Sequence, residues 1–87
     1  MNTLSVLIKN ATTTLFEGKA SAVSSVNEKG DFSILPFHAN FISMIKEKIV
    51  VYPISGEKKE IKINDHGVLN VQSNNVSVFL GIEIVAV

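Results

Sequence analysis

The amino-acid sequence predicts an all-β domain, a sandwich or small barrel of short strands joined by tight turns. Three observations carry this. Apolar residues recur with a period of two, the runs are rich in β-branched side chains, and clusters of Gly, Asn, Asp and Ser punctuate them at short spacing. With 87 residues the chain forms one domain, 1–87. A domain of this size buries only roughly 60 to 65% of the surface its unfolded chain exposes.

The elements follow in order. Leu4, Val6 and Ile8 alternate with Ser5, Leu7 and Lys9, which predicts a strand with a strongly apolar face. Thr12, Thr13 and Thr14 precede Leu15-Phe16 and read as an edge strand or loop with solvated hydroxyls. Asn27-Glu28-Lys29-Gly30 is the first turn signal. Asn40 to Lys48 has room for a turn or two of helix, with Pro36 upstream and a β-branched run downstream to confine it. Ile49, Val50, Val51 and Tyr52 form a strand apolar on both sides, and Ser55-Gly56 turns it back. Ile61 and Ile63 alternate with Glu60, Lys62 and Asn64, the pattern of a sheet with one wet side. Lys58, Lys59 and Lys62 are balanced by Glu57 and Glu60 and predict a solvated hairpin face. Asn64-Asp65-His66-Gly67 and Ser73-Asn74-Asn75 predict two further turns. The last strand places Val76, Val78, Leu80, Ile82 and Ile84 on one face and Ser77, Phe79, Gly81, Glu83 and Val85 on the other.

Composition excludes several functions. Hydrophobic residues make up 46% of the chain and charged residues 18%, which excludes a disordered, highly charged tail. Every basic residue is lysine and the net charge is zero, so no arginine fork or positive field exists to gather a nucleic acid. Without cysteine there is no disulfide framework and no thiolate chemistry. The amino terminus lacks the pattern of a signal or transit peptide. The longest apolar stretches, Ile49 to Ile54 and Val76 to Val87, fall short of the roughly 20 residues of a spanning helix. A soluble cytoplasmic protein without direct membrane insertion is expected.

Catalytic and cofactor chemistry finds little support. His38 and His66 lie apart with no cysteine between them, too few ligands for a zinc site. No phosphate-cradling glycine loop is present, so no nucleotide or other cofactor is expected. Asp31 and His38 with Ser33 or Ser43 outline a hydrolase triad only weakly, because no nucleophile elbow accompanies them. The segment from Gly30 to Ser43 stands out instead. Phe32, Ile34, Leu35, Phe37, Phe41 and Ile42 crowd into it, and a segment this apolar packs either on its own core or on another protein.

Those residues carry a resemblance. Leu15-Phe16-Glu17-Gly18 followed by Gly30-Asp31-Phe32-Ser33-Ile34-Leu35-Pro36-Phe37-His38-Ala39 resembles the amino-terminal domain of the epsilon subunit of the F-type ATP synthase. That family typically reads Leu-Phe-Glu-Gly and Gly-Glu-Phe-Gly-Ile-Leu-Pro-Gly-His-Ala-Pro. Asp65-His66-Gly67-Val68-Leu69-Asn70-Val71 and Asn75-Val76-Ser77-Val78-Phe79-Leu80 resemble two later family segments, in family order and spacing. The resemblance implies a flattened antiparallel β-sandwich that serves as a non-catalytic rotor subunit in the central stalk. It would link the gamma subunit to the c ring, support the coupling of proton or sodium transport to ATP synthesis, and sit at the inner (plasma) membrane through the complex. By motif position it places Asn10, His38, Ala39, Phe41, Ile42 and Ser43 against gamma and Asp31 near the c ring.

The sequence also departs from the family. Ser33 and Phe37 stand where glycines are typical, Asn40 where proline is, and Asp65-His66-Gly67 where a Gly-Gly pair is expected. If position 37 needs a positive φ, phenylalanine there is strained. Either the loop has moved or the interface is rebuilt around a new aromatic. The chain ends at Val87, where the family's sandwich ends, so the carboxy-terminal helical hairpin and its inhibitory and ATP-binding properties are not carried over. A stand-alone binding module that self-associates or serves another complex is the alternative.

Overall fold

The computed structural model describes residues 2–82, and the predicted strand positions Glu83, Ile84 and Val85 lie outside them. Six strands follow in order: β1 (Leu4–Lys9), β2 (Thr14–Asn27), β3 (Gly30–Ile34), β4 (Phe41–Pro53), β5 (Lys59–Gln72) and β6 (Asn75–Ile82). The described residues contain no helix. Phe41 to Lys48, where a helical turn had room, belongs to β4. Its β-branched and aromatic side chains suit a pleated surface better than a helix.

The sheet runs β1-β6-β5-β4-β2-β3 and closes on itself because β1 also pairs with β2, leaving β3 attached to β2 alone. Strands joined by tight turns pair antiparallel, as the Gly and Asn signals predict. The β1–β6 pair is parallel. Ring closure requires it: going round β1, β2, β4, β5 and β6, the four other pairings are antiparallel, and a ring of five strands cannot be antiparallel at every pairing.

Bends in the long strands flatten this ring into a sandwich. β2 gives its first half to β1, pairing Phe16–Ala20 with Leu4–Ile8, and its second half to β3 and β4. β4 and β5 change register together, where Ile45 pairs with Gly67 but Glu47 already pairs with Ile63. Glu47 takes φ 70° at this corner, the local distortion by which a strand passes from one layer to the other. Asn64-Asp65-His66-Gly67 therefore forms a bulged bend inside a continuous β5, where the sequence predicts a turn. The extents of 46 × 26 × 19 Å match two sheets about 10 Å apart with their outer side chains.

Leu4, Val6 and Ile8 of β1 and Val76, Val78 and Leu80 of β6 meet Val23, Ile34, Ile49, Val51 and Ile63 in one buried cluster. Alternation predicts the interior positions of β1 and β6 and that of Ile63, whereas Val23 and Ile34 are core residues that it does not identify. Ser25 is the buried polar exception, and its hydroxyl donates to the Lys48 carbonyl oxygen at 2.7 Å, so burial leaves no orphaned group. The β5–β6 turn places Ser73 at φ 49° and Asn74 at φ 63°. That is the type I′ geometry matching the right-handed twist of a hairpin.

Candidate functional site

Pro36 organises the loop between β3 and β4. The His38 amide donates to the Leu35 carbonyl oxygen at 3.1 Å, closing a four-residue turn with Pro36 second and Phe37 third. Phe37 has φ 67°. A proline followed by a residue of positive φ is a type II turn, whose third position favours glycine. The loop has therefore kept the conformation in which phenylalanine is strained, by about 1 kcal/mol or more. The Phe37 amide donates to Asn74 Oδ1 at 2.6 Å, and the Ser73 amide donates to Asn40 Oδ1 at 3.4 Å. The loop is thus tied to the β5–β6 turn on both sides of residue 37.

What the loop and the first residues of β4 show to solvent is mostly apolar. Phe37 is 73% exposed, Leu35 56%, Ile42 71% and Met44 41%. No Asp, Glu, Lys or Arg lies between Asp31 and Lys46. Ile42 stands opposite Asn70, and Met44 opposite Val68, which stands opposite Phe79. The outer face of this sheet therefore continues the apolar surface from β4 across β5 to β6. Exposed apolar residues grouped in this way mark a contact surface, whereas scattered ones do not.

The other residues expected at an interface differ in how free they are. Phe41 is half-buried against the core and meets Phe32 and His38 edge-on, each at 5.6 Å between ring centroids. His38 Nδ1 lies 2.7 Å from the Ala39 carbonyl oxygen; a carbonyl only accepts, so this nitrogen carries the proton. Ser43 Oγ accepts from Asn27 Nδ2 at 3.2 Å and donates to the Met44 carbonyl oxygen at 3.0 Å. Ala39 is exposed. Asp31 is exposed near the start of β3, paired with Val26 and next to Phe32.

Asn10 stands apart. Its Oδ1 accepts from the Thr12 and Thr13 amides at 3.0 and 2.8 Å, shaping the β1–β2 turn. Register places Ser5 beside Asn75 and Lys9 beside Phe79. Asn10 is therefore at the end of β1 away from the turn that holds Phe37. The structure thus gathers His38, Ala39, Phe41, Ile42 and Ser43, with Asp31 on the adjoining strand, and separates Asn10 from them.

The triad geometry fails among the described residues. Ser33 Oγ is bonded to Ser24 Oγ at 2.8 Å, Ser43 to backbone, and the His38 ring nitrogen to a carbonyl. The described residues include no group of three or more metal-ligating side chains. Asn74 and Met44 are the site residues sequence reasoning missed. Asn74 could have been suspected only from its side-chain carbonyl in a tight turn, since its partner lies far away in sequence. Replacing Asn74 with glycine keeps the left-handed turn and removes the acceptor. The expected loss is about 1 kcal/mol in a denaturant titration.

Comparison with known proteins bears on this surface. A family profile described as "ATP synthase, Delta/Epsilon chain, beta-sandwich domain" matches residues 3–81. The ATP synthase epsilon chain of Nitratiruptor sp. is 30% identical over 77 residues, covering 88% of this chain and 60% of that one. The epsilon chain of Xanthomonas campestris pv. campestris is 36% identical over 81 residues, covering 92% of this chain and 57% of that one. The chain therefore spans somewhat more than half the length of these curated relatives. Among solved structures, a chain of the Euglena gracilis mitochondrial ATP synthase, OSCP/F1/c-ring in rotational state 1, superposes with a TM-score of 0.82 at 13% identity, over 92% of this chain and 51% of that one. A chain of the Tetrahymena thermophila mitochondrial ATP synthase central stalk and c-ring gives 0.70 at 10% identity, over 88% and 62%. At such identities these superpositions show a common fold.

Proposed function

The chain belongs to the ATP synthase delta/epsilon β-sandwich family, and from this we propose that it is a non-catalytic rotor subunit of the central stalk. It holds gamma on the c ring and supports the coupling of ion transport to ATP synthesis, at the inner (plasma) membrane through the complex. No helix of the described residues is long and apolar enough to cross a membrane, so attachment in this reading comes from the partners.

The observation that carries the proposal is the uncharged surface of the β3–β4 loop and the first residues of β4, up to Ile45, with Leu35, Phe37, Ile42 and Met44 exposed. A stalk subunit is gripped, and grip comes from a few well-buried apolar anchors, with rim charges contributing little. In this reading gamma covers Leu35, Phe37, His38, Ala39 and Ile42, while Phe41 and Ser43 shape the surface from beneath. Asn10 marks a separate, smaller contact with gamma, and Asp31 faces the c ring. Affinity capture of the chain from its native cell tests this. Gamma and beta subunits are expected to come with it, and capture without either contradicts the reading.

A second reading is a self-associating module. The row Met44, Val68 and Phe79 on the outer sheet face favours it, because two copies could bury those rows against each other. Sedimentation separates the two: a stable dimer that gamma does not dissociate would support the module.

A further inference from the structure

We propose that Phe37 is an anchor of the gamma interface, its ring presented on a left-handed backbone for insertion into an uncharged recess of the partner. The inference rests on the rotor reading and assigns a device to that surface.

Phe37 occupies a turn position suited to glycine, at φ 67°. Its ring lies largely in water, so burial within the chain does not offset the backbone strain. The side chain thus does little for the free chain. Yet Asn74 holds the Phe37 amide, and Asn40 holds the Ser73 amide of the same turn. Strain maintained by surrounding structure is a mark of functional positions. A backbone already held in its bound conformation loses little freedom on association, and aromatic residues are prominent among interface anchors.

The neighbourhood states the chemistry of the recess. Leu35 in the same turn and Ile42 at the start of β4 are also exposed apolar groups, and the segment from Phe32 to Ile45 carries no Asp, Glu, Lys or Arg. A charge on the partner opposite this surface would be desolvated without compensation. The recess is therefore apolar with a neutral rim.

The inference predicts opposite signs for stability and binding. Phe37→Gly relieves the strain and is expected to raise the melting temperature of the isolated chain by roughly 2–8 °C, while weakening binding to the gamma subunit of the same genome at least tenfold. Phe37→Ala keeps most of the strain and removes the ring; it is expected to weaken binding similarly with a much smaller rise in melting temperature. Calorimetric titration of each full-length chain with gamma, beside thermal melts, reads both effects. If wild type binds gamma and Phe37→Gly binds equally well, the anchor assignment is overturned and the rotor reading survives. If folded wild type does not bind gamma, the rotor reading itself falls.

Discussion

Replacing Ile42 with aspartate is expected to abolish capture of gamma while the sandwich stays folded. Ile42 lies on the outer face of β4, mostly in solvent, where it stands opposite Asn70. Its loss from the free chain is limited to a strand-propensity effect of up to ~1 kcal/mol. In a complex the balance changes. Burying an isoleucine side chain contributes about 1.5–3 kcal/mol, and an aspartate in its place adds the desolvation of an unpaired carboxylate. The combined effect weakens binding by roughly 100-fold or more. A pull-down titration with the circular dichroism melt recorded in parallel checks it; retained capture at wild-type affinity would remove Ile42 from the interface. Phe41→Asp is the poorer experiment, because Phe41 packs between Phe32, His38 and the core. Its loss of binding would report unfolding.

Gly67→Ala carries the largest expected effect on stability. A β-carbon there would come within 2.7 Å of Leu80 Cδ2, 3.0 Å of the Phe79 carbonyl oxygen and 3.2 Å of Ile45 Cγ1. Leu80 is buried and Phe79 belongs to the paired strand, so the room has to come from the core and the ladder together. Overpacking of this kind costs about 1–3 kcal/mol, which in a domain this small lowers the melting temperature by roughly 4–20 °C. Part of the loss should return in the double variant Gly67→Ala with Leu80→Val, since the two sites share one space. An unchanged melting temperature for Gly67→Ala would contradict the close approach of β5 and β6. Of the two glycines expected near residue 66, the one present is thus accounted for by space.

Strands β1 and β6 were legible because each buries alternate residues, and alternation is written locally; β2, which buries Ala20, Val23, Ser25 and Val26 without strict alternation, was not. Leu4, Val6 and Ile8, like Val76, Val78 and Leu80, are interior as their spacing predicts. The turn chemistry of Ser73-Asn74-Asn75 was legible for the same reason. What escaped depends on residues distant in sequence. Asn64-Asp65-His66-Gly67 has the composition of a turn, but a bulged corner also favours small and polar residues, and only pairing with β4 on both sides distinguishes the two. The parallel β1–β6 pair follows from counting strands round the ring, a property no single segment carries.

The site was half legible. Its apolar, uncharged stretch is plain in the sequence, and so is Pro36 before Phe37. That Phe41 is held inward while Ile42 points out depends on register. That Phe37 accepts a left-handed backbone depends partly on Asn74, far along the chain. Motif position grouped Asn10 with His38, whereas the fold separates them along the length of β1.

Amide hydrogen exchange of the full chain, with and without the gamma subunit, tests the central claim most directly. The account predicts slowed exchange on adding gamma in peptides spanning Leu35 to Met44, with the interior of β1 and β6 unchanged. A complex that leaves Leu35 to Met44 exchanging as in the free chain would contradict it.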